Sequence, residues 1–246
     1  MRSVLNACSV LEAVVQHQPI GVSELSRLVQ LPKTTVQRCL ETLEQAGWTR
    51  HSADPVRWSV TARVWSIASS STEHAALREA ALPVMHRTRD ALDETVHLNV
   101  LEGLDVILIE RVDSRQVVRT YSALGAVSPL HGPSAGKAIL AHLPEAHVEA
   151  IISAGLEQFT ERTVTDPSAL RKQLQEIRDQ GYAFNAGEWR PDIYGIGVAI
   201  LTRDQRPVGS IAISMPASRF DPDDLPRQAA LMVDAAREIA AGLPQR

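Results

Sequence analysis

The sequence predicts a two-part α+β protein. A small N-terminal winged helix-turn-helix domain spans residues 1–62, linker helices span 63–94, and a larger domain over 95–246 is built on an antiparallel sheet. Three observations carry this. A two-turn helical pattern, a short turn, a longer polar-ended helical pattern and a hairpin signal follow one another before residue 62. Ser69-Ser70-Ser71-Thr72 is the most polar and least periodic stretch of the first third, and a boundary belongs there. Beyond it come runs of strands, then helices, then strands, which is α+β order and not a series of βαβ units.

Within the first part, Val4, Leu5, Val10, Leu11, Val14 and Val15 recur at helical spacing, and Pro19 with Gly21 ends the segment. Ser23 stands where an N-cap would begin a second helix through Leu25, Leu28 and Val29. Pro32 suits the first position of a third helix, with Val36, Leu40 and Leu43 on its apolar stripe and Gly47 at its end. The helix-turn-helix therefore lies at about 23–46. Residues 48–50 and 57–60 read as two short strands around the Asp54-Pro55 turn, forming a wing.

The third helix leaves Lys33, Thr34, Gln37, Arg38, Glu41 and Glu44 facing outward, with the cations and the amide in its leading turn and a half. Arg pairs bidentately with guanine and Gln with adenine, while Lys and Thr hold phosphate oxygens, so that end suits a major groove. Arg50, His51 and Arg57 stand where a wing reaches the backbone or minor groove. A helical module that packs against protein is the alternative for this part.

Net charge is −4, but residues 1–72 carry seven Lys and Arg against five Asp and Glu, whereas residues 73–246 carry 18 against 24. A mildly basic head on an acidic body suits double-stranded DNA at one end only. With 44% hydrophobic and 22% charged residues the chain can bury a core. No apolar run approaches the roughly 18 residues of a membrane span, and residues 1–16 lack a signal-peptide pattern, so a cytoplasmic protein is expected. Cys8 and Cys39 are too few for a disulfide framework or a cysteine zinc site. At 4%, aromatic residues are too scarce for single-strand stacking platforms.

Thr61 caps a helix through Val64, Trp65, Ile67 and Ala68, and residues 73–95 resume helical periodicity with a kink or restart at Pro83. Strands are expected at 96–100, 106–112 and 117–121, then helices at 134–142, 145–154 and 168–180. Strands follow at 182–185, 197–201 and 208–214, and a helix over 222–243 closes the chain.

Gly132-Pro133-Ser134-Ala135-Gly136 fits G-x-S-x-G literally, which raises a Ser134-dependent hydrolase. Pro129 and Pro133 flank the segment where an apolar strand should lead in, and no His follows His147, so the triad cannot be completed in that order. A P-loop fails as well, because three residues separate the glycines and Ala138 replaces the required Ser or Thr. His142 and His147, five apart, point from opposite helix faces, and no metal or cofactor is expected. The segment can instead present backbone N–H groups at a helix start to a small carboxylate. Close packing of an ordinary helix start is the equal alternative.

Leu31-Pro32-Lys33-Thr34-Thr35-Val36-Gln37-Arg38-Cys39-Leu40 resembles the recognition-helix signature of IclR-type transcriptional regulators. Gln30 replaces a frequent glycine in the preceding turn and would have to take left-handed geometry. Gly125-x-x-x-Pro129-Leu130-His131, then Gly136-Lys137-Ala138-Ile139-Leu140-Ala141, Gly181-Tyr182-Ala183, Glu188 and Ile211-Ala212-Ile213-Ser214 are similar to the family's effector domain.

The resemblance spans nearly the whole chain. It implies a GAF-like effector domain, a homodimer or dimer of dimers on an operator, and repression of catabolic genes. DNA contacts fall on Ser23, Lys33, Thr34, Thr35, Gln37, Arg38, Arg50 and Arg57. Effector contacts fall on Gly132, Ser134, Ala135, Gly136, Asn185, Gly195, Ala212 and Ser214. Asn185 where the family often has an acid, and Ala212 where it often has serine, imply a less polar pocket for a larger or aromatic acid. Trp189 and Tyr194 are further candidates for its lining.

Overall fold

The computed structural model describes residues 2–69 and 74–244, so most of the expected boundary at 69–72 lies outside the described residues. The chain forms two compact units, Met1–Thr72 and Glu73–Arg246.

In the first unit, α1 (Arg2–His17), α2 (Val22–Leu28) and α3 (Lys33–Gln45) precede the antiparallel hairpin β1 (Thr49–His51) and β2 (Trp58–Val60), and α4 (Ala62–Ser69) follows. Val10, Val14, Leu25, Val36, Leu40 and Trp58 form its core. Only part of the α1 stripe is used: Val4, Leu5 and Val15 stay exposed, because α2, α3 and the hairpin cover just the Val10, Ala13 and Val14 side.

Two helix starts shift by a residue or two. Gly21, not Ser23, caps α2, and the Glu24 carboxylate accepts the Gly21 N–H at 3.1 Å. Pro32 is the cap of α3, its carbonyl accepting the Thr35 and Val36 N–H groups at 2.9 and 3.0 Å. Gln30 does take left-handed geometry, at φ 52°, and the Ser26 hydroxyl donates to the Leu31 carbonyl at 2.6 Å, fixing the turn.

The second unit contains α5 (Ala75–Leu92), β3 (Thr95–Glu102), β4 (Asp105–Val112), β5 (Val127–Pro129), α6 (Ser134–Leu140), α7 (Glu145–Ala154) and α8 (Pro167–Gln180). It continues with β6 (Ala183–Ala186), β7 (Ile193–Leu201), β8 (Pro207–Pro216) and α9 (Leu225–Ala241). The strands form one antiparallel sheet in the order β5-β4-β3-β8-β7-β6.

Successive strand residues face opposite sides, and that alternation separates two cores. Val96, Leu98, Val100, Ile196, Val198, Ile211 and Ile213 pack with α5 and α9. The other side, carrying Leu101, Ala183, Ala199 and Leu201, packs with α6, α7 and α8. His97, Asn99, Asn185, Gly195, Gly197, Ala212 and Ser214 share this second side by register.

One expected strand is not formed. The strand expected at 117–121 is absent; residues 113–126 form a loop, and β5 pairs with β4 in its place. The loop's polar groups find local partners, with the Ser114 hydroxyl donating to the Asp93 carbonyl at 2.6 Å and Arg111 donating to the Ser122 carbonyl. Val117 is 94% exposed, so the β-branched run buries nothing that would hold it in a sheet. Within the expected linker 63–94, α5 buries Leu77, Ala81, Val84 and Met85 in the body's core, and the helix runs through Pro83 without ending.

Candidate functional sites

On the first unit, Lys33, Thr34 and Arg38 are exposed at the leading end of α3, with Thr35 and Gln37 half-buried beside them. Val36, Cys39 and Leu40 turn into the core, so the polar side chains are left to solvent by the amphipathic spacing itself. Gln37 donates to Glu41 at 2.8 Å one turn on. Ser23 is exposed on α2 and Arg50 on the wing. Arg57 differs: its guanidinium pairs with Glu24, the carboxylate that also holds the start of α2, so it braces the wing against the helix-turn-helix. The Gly21 N–H, and after it the Arg57 guanidinium, hold the Glu24 carboxyl below its usual range.

On the second unit, a cavity of about 120 Å³ lies between the start of α6 and the sheet. It is lined by Ser134, Ala135, Asn185, Gly195, Ala212 and Ser214, six of the eight expected effector positions, and also by Trp189 and Tyr194. The floor is made of small residues because α6 sits directly on it. A Cβ at Gly197 would lie 2.5 Å from the Ser134 carbonyl, and one at Gly195 3.1 Å from the Ser134 hydroxyl.

Gly132 and Gly136 do not line the cavity. A Cβ on Gly136 would come within 2.6 Å of the Leu130 carbonyl and one on Gly132 within 3.1 Å of the Trp189 ring, so both glycines permit close packing that places α6. Asn185 is at the wall with its amide fully engaged. Its Nδ2 donates to the Gly132 carbonyl at 2.8 Å, and its Oδ1 accepts the Gly187 and Glu188 N–H groups at 2.9 and 3.0 Å. The Ser214 hydroxyl is 2.6 Å from that of Thr120, which brings the 113–126 loop over the cavity.

Among the lining residues that sequence reasoning missed are His97, Asn99, Thr120 and Arg190. Arg190 is exposed at the wall and is the only lining side chain that carries a full charge at neutral pH. Burial, reinforced by the Arg111 guanidinium and opposed by Asp113, pushes the His97 imidazole down to about 4, so it is neutral. The Nε2 of His97 and the Nδ2 of Asn99 are buried without a hydrogen-bond partner.

Behind the cavity, Lys137 on α6 is fully buried and its ammonium is 2.5 Å from Glu188, next to Trp189. Burial lowers the Lys137 ammonium while Glu188 opposes the shift. This lysine is a structural ion pair, not a phosphate ligand.

Catalytic chemistry is not assembled. Ser134 makes no hydrogen bond to a histidine or carboxylate among the described residues. Nor do the described residues hold a cluster of His, Cys, Asp or Glu fit for a metal. A larger, open recess of about 360 Å³ is lined by Glu94, Asp221, Asp223 and Asp224 among others, with Glu94 paired to Arg219 and Asp224 to Arg227. Among the described residues no helix is long and apolar enough to cross a membrane.

Comparison with known proteins matches both units. The IclR helix-turn-helix domain family covers residues 3–53, and the bacterial transcriptional regulator IclR C-terminal family covers residues 69–241. The HTH-type transcriptional regulator KdgR of Escherichia coli is 30% identical over 241 residues, 97% of this chain and 91% of the relative. The HTH-type transcriptional repressor AllR of Salmonella typhimurium is 32% identical over 224 residues, 91% of this chain and 82% of the relative.

Among solved structures, an IclR homolog from Microbacterium hydrocarbonoxydans complexed with 4-hydroxybenzoate superposes with a TM-score of 0.83 at 25% identity, covering 98% of each chain. The Thermotoga maritima IclR superposes with a TM-score of 0.77 at 25% identity over 98% of each chain. A helix-turn-helix with its polar leading end open to solvent, a body with a cavity between α6 and its sheet, and a match to both family domains make one case: the chain belongs to the IclR family of ligand-responsive, non-enzymatic transcriptional regulators.

Proposed function

We propose that this protein is a repressor of catabolic genes whose operator affinity is set by a small organic acid bound in the α6 cavity. The observation that carries the reading is the cavity itself: about 120 Å³, close to the size that accepts a single benzene ring, with Arg190 as its one charged wall residue. A single carboxylate suits that charge, with the Ser134 and Ala135 amides in the helix's first turn as further donors. Gly195, Ala212 and Ser214 leave room for the acid's body, and Asn185, Gly132 and Gly136 hold the wall in place. The acid acts by binding one arrangement of the protein more tightly than another. Its solved relative with 4-hydroxybenzoate supports an aromatic acid of one ring.

The DNA half of the reading assigns base contacts to Gln37 and Arg38, and phosphate contacts to Ser23, Lys33, Thr34, Thr35 and Arg50. Arg57 acts by bracing the wing. One short recognition helix reads few base pairs, so a homodimer or dimer of dimers on a near-palindromic site is part of the proposal. Isothermal titration of the full chain with benzoate and 4-hydroxybenzoate, repeated on Arg190→Ala, tests the effector half. Binding that weakens in the variant supports it; absence of binding by either acid opposes it.

A further inference from the structure

Asn99 is 7% exposed, its Nδ2 has no partner within the protein, and it lines the cavity. The Nε2 of His97, two residues earlier on the same face of β3, is in the same state. A buried polar atom left without a partner is destabilising, and two side by side in a central strand are not required by the fold. The stabilising contacts of β3 are made by Val96, Leu98 and Val100 on the opposite face. In contrast, Asn185 and Ser214, polar residues of the same cavity, have their side chains satisfied by the protein.

The sheet order separates these two groups from the α6 end. Gly195 on β7 lies under Ser134, Ala212 and Ser214 on β8 come next, and His97 and Asn99 on β3 follow. Two strand spacings, about 9–10 Å, lie between Gly195 and the β3 pair. Arg190 belongs to the β6–β7 connection, so on this one face the charge and the α6 start lie toward the β6 edge of the sheet and the orphaned polar atoms lie toward its middle. On the β3 side no charged side chain lines the cavity: His97 is neutral, and Arg111, opposite it on β4, is held by Asp113 and the Ser122 carbonyl, so a second carboxylate meets no uncompensated cation there.

We infer that the effector is a monocarboxylic acid bearing an uncharged oxygen, hydroxyl or carbonyl, at the end remote from its carboxylate, and that Asn99 and His97 receive that oxygen and set which acid is recognised. The inference rests on the cavity being the effector site. Asn99 Nδ2 donates to the oxygen, and the neutral His97 Nε2 takes whichever role its tautomer and the oxygen leave open.

The test is calorimetric titration of the full chain with matched acids that differ by the remote oxygen: benzoate against 4-hydroxybenzoate, and pentanoate against 5-hydroxypentanoate. The oxygen-bearing member of at least one pair is expected to bind roughly tenfold or more tightly. In Asn99→Leu that preference should fall to within about threefold, and the ligand-free thermal midpoint should hold or rise because a stranded donor has been removed. His97→Phe, which keeps a ring in place, gives a second reading of the same ratio should Asn99→Leu not fold.

Equal affinity within both pairs, or a preference that survives in both variants, overturns the inference while leaving the effector site intact. A lowered midpoint with an unchanged preference shows a purely structural Asn99 and also overturns it. Failure of all four acids to bind the unaltered protein overturns the effector-site reading and the inference together.

Discussion

Lys33 and Arg38 stand at the same exposed end of α3, yet substitution should separate them. Arg38→Ala is expected to cost about 1–3 kcal/mol on the preferred site and to relax base preference there. Lys33→Ala should weaken all sequences alike and reduce the salt dependence of binding by about one unit of slope. Fluorescence anisotropy on matched and scrambled duplexes across a salt series distinguishes the two. His97 makes a separate prediction. Its folded value of about 4 lies below the ordinary 6.5, so the unfolded chain takes up that proton first as pH falls. The stability it contributes is complete above about pH 6.5 and is lost as pH falls toward about 4. Urea unfolding between pH 7 and pH 4 should be less acid-sensitive in His97→Gln. At this scale the sequence is legible where chemistry is local: the amphipathic spacing of α3 leaves Lys33, Thr34 and Arg38 outside by itself. It is illegible where a side chain's neighbour comes from a distant strand. Val96-His97-Leu98-Asn99-Val100 reads as a strand with one polar face, but only the β4-β3-β8 order and α6 turn that face into a cavity wall. Arg57 looks like any wing cation until Glu24, 33 residues earlier, is found beside it.

Helix α6 has its place because Gly136 within it and Gly195 and Gly197 beneath it have no side chain. Gly197→Ala would put a methyl group into the backbone of Ser134 and Ala135, at 2.5 to 2.8 Å. The strand is held by hydrogen bonds to both β6 and β8, so α6 must lift. Overpacking of this kind costs about 1–3 kcal/mol, and acid binding should be lost by more than the stability change accounts for, measured by parallel denaturation and calorimetry. The same helix carries the Lys137–Glu188 pair. Lys137→Met strands Glu188 and is expected to cost about 3–5 kcal/mol in urea unfolding, whereas the double change Lys137→Met with Glu188→Leu should recover most of it. Element by element, the helices with a periodic stripe and a stop were readable, as in α3, where Val36 and Leu40 turn inward and Gly47 follows the last turn with positive φ. Residues 117–121 were not, since strand propensity is an effect of packing on a half-buried sheet, and here the side chains of Val117, Val118 and Tyr121 meet solvent.

Across the whole chain, a mildly basic unit at residues 1–72 and an acidic one at 73–246 follow the division of labour between DNA and metabolite. Net charge alone would have argued against a nucleic-acid partner; the sign difference between the units is what matters for duplex attraction. The larger unit's two-sided core was foreseeable as α+β from the order of its elements, while the cavity depended on Gly195, Gly197 and Ala212 lying beside one another on β7 and β8. The central claim is that α3 reads duplex DNA, and selection from a random duplex pool by the full chain, followed by anisotropy across a salt series, tests it most directly. The expected result is enrichment of a two-fold-related sequence whose affinity falls steeply with salt and drops about tenfold or more in Arg38→Ala. No enriched sequence, or an affinity indifferent to salt and to Arg38, would contradict it.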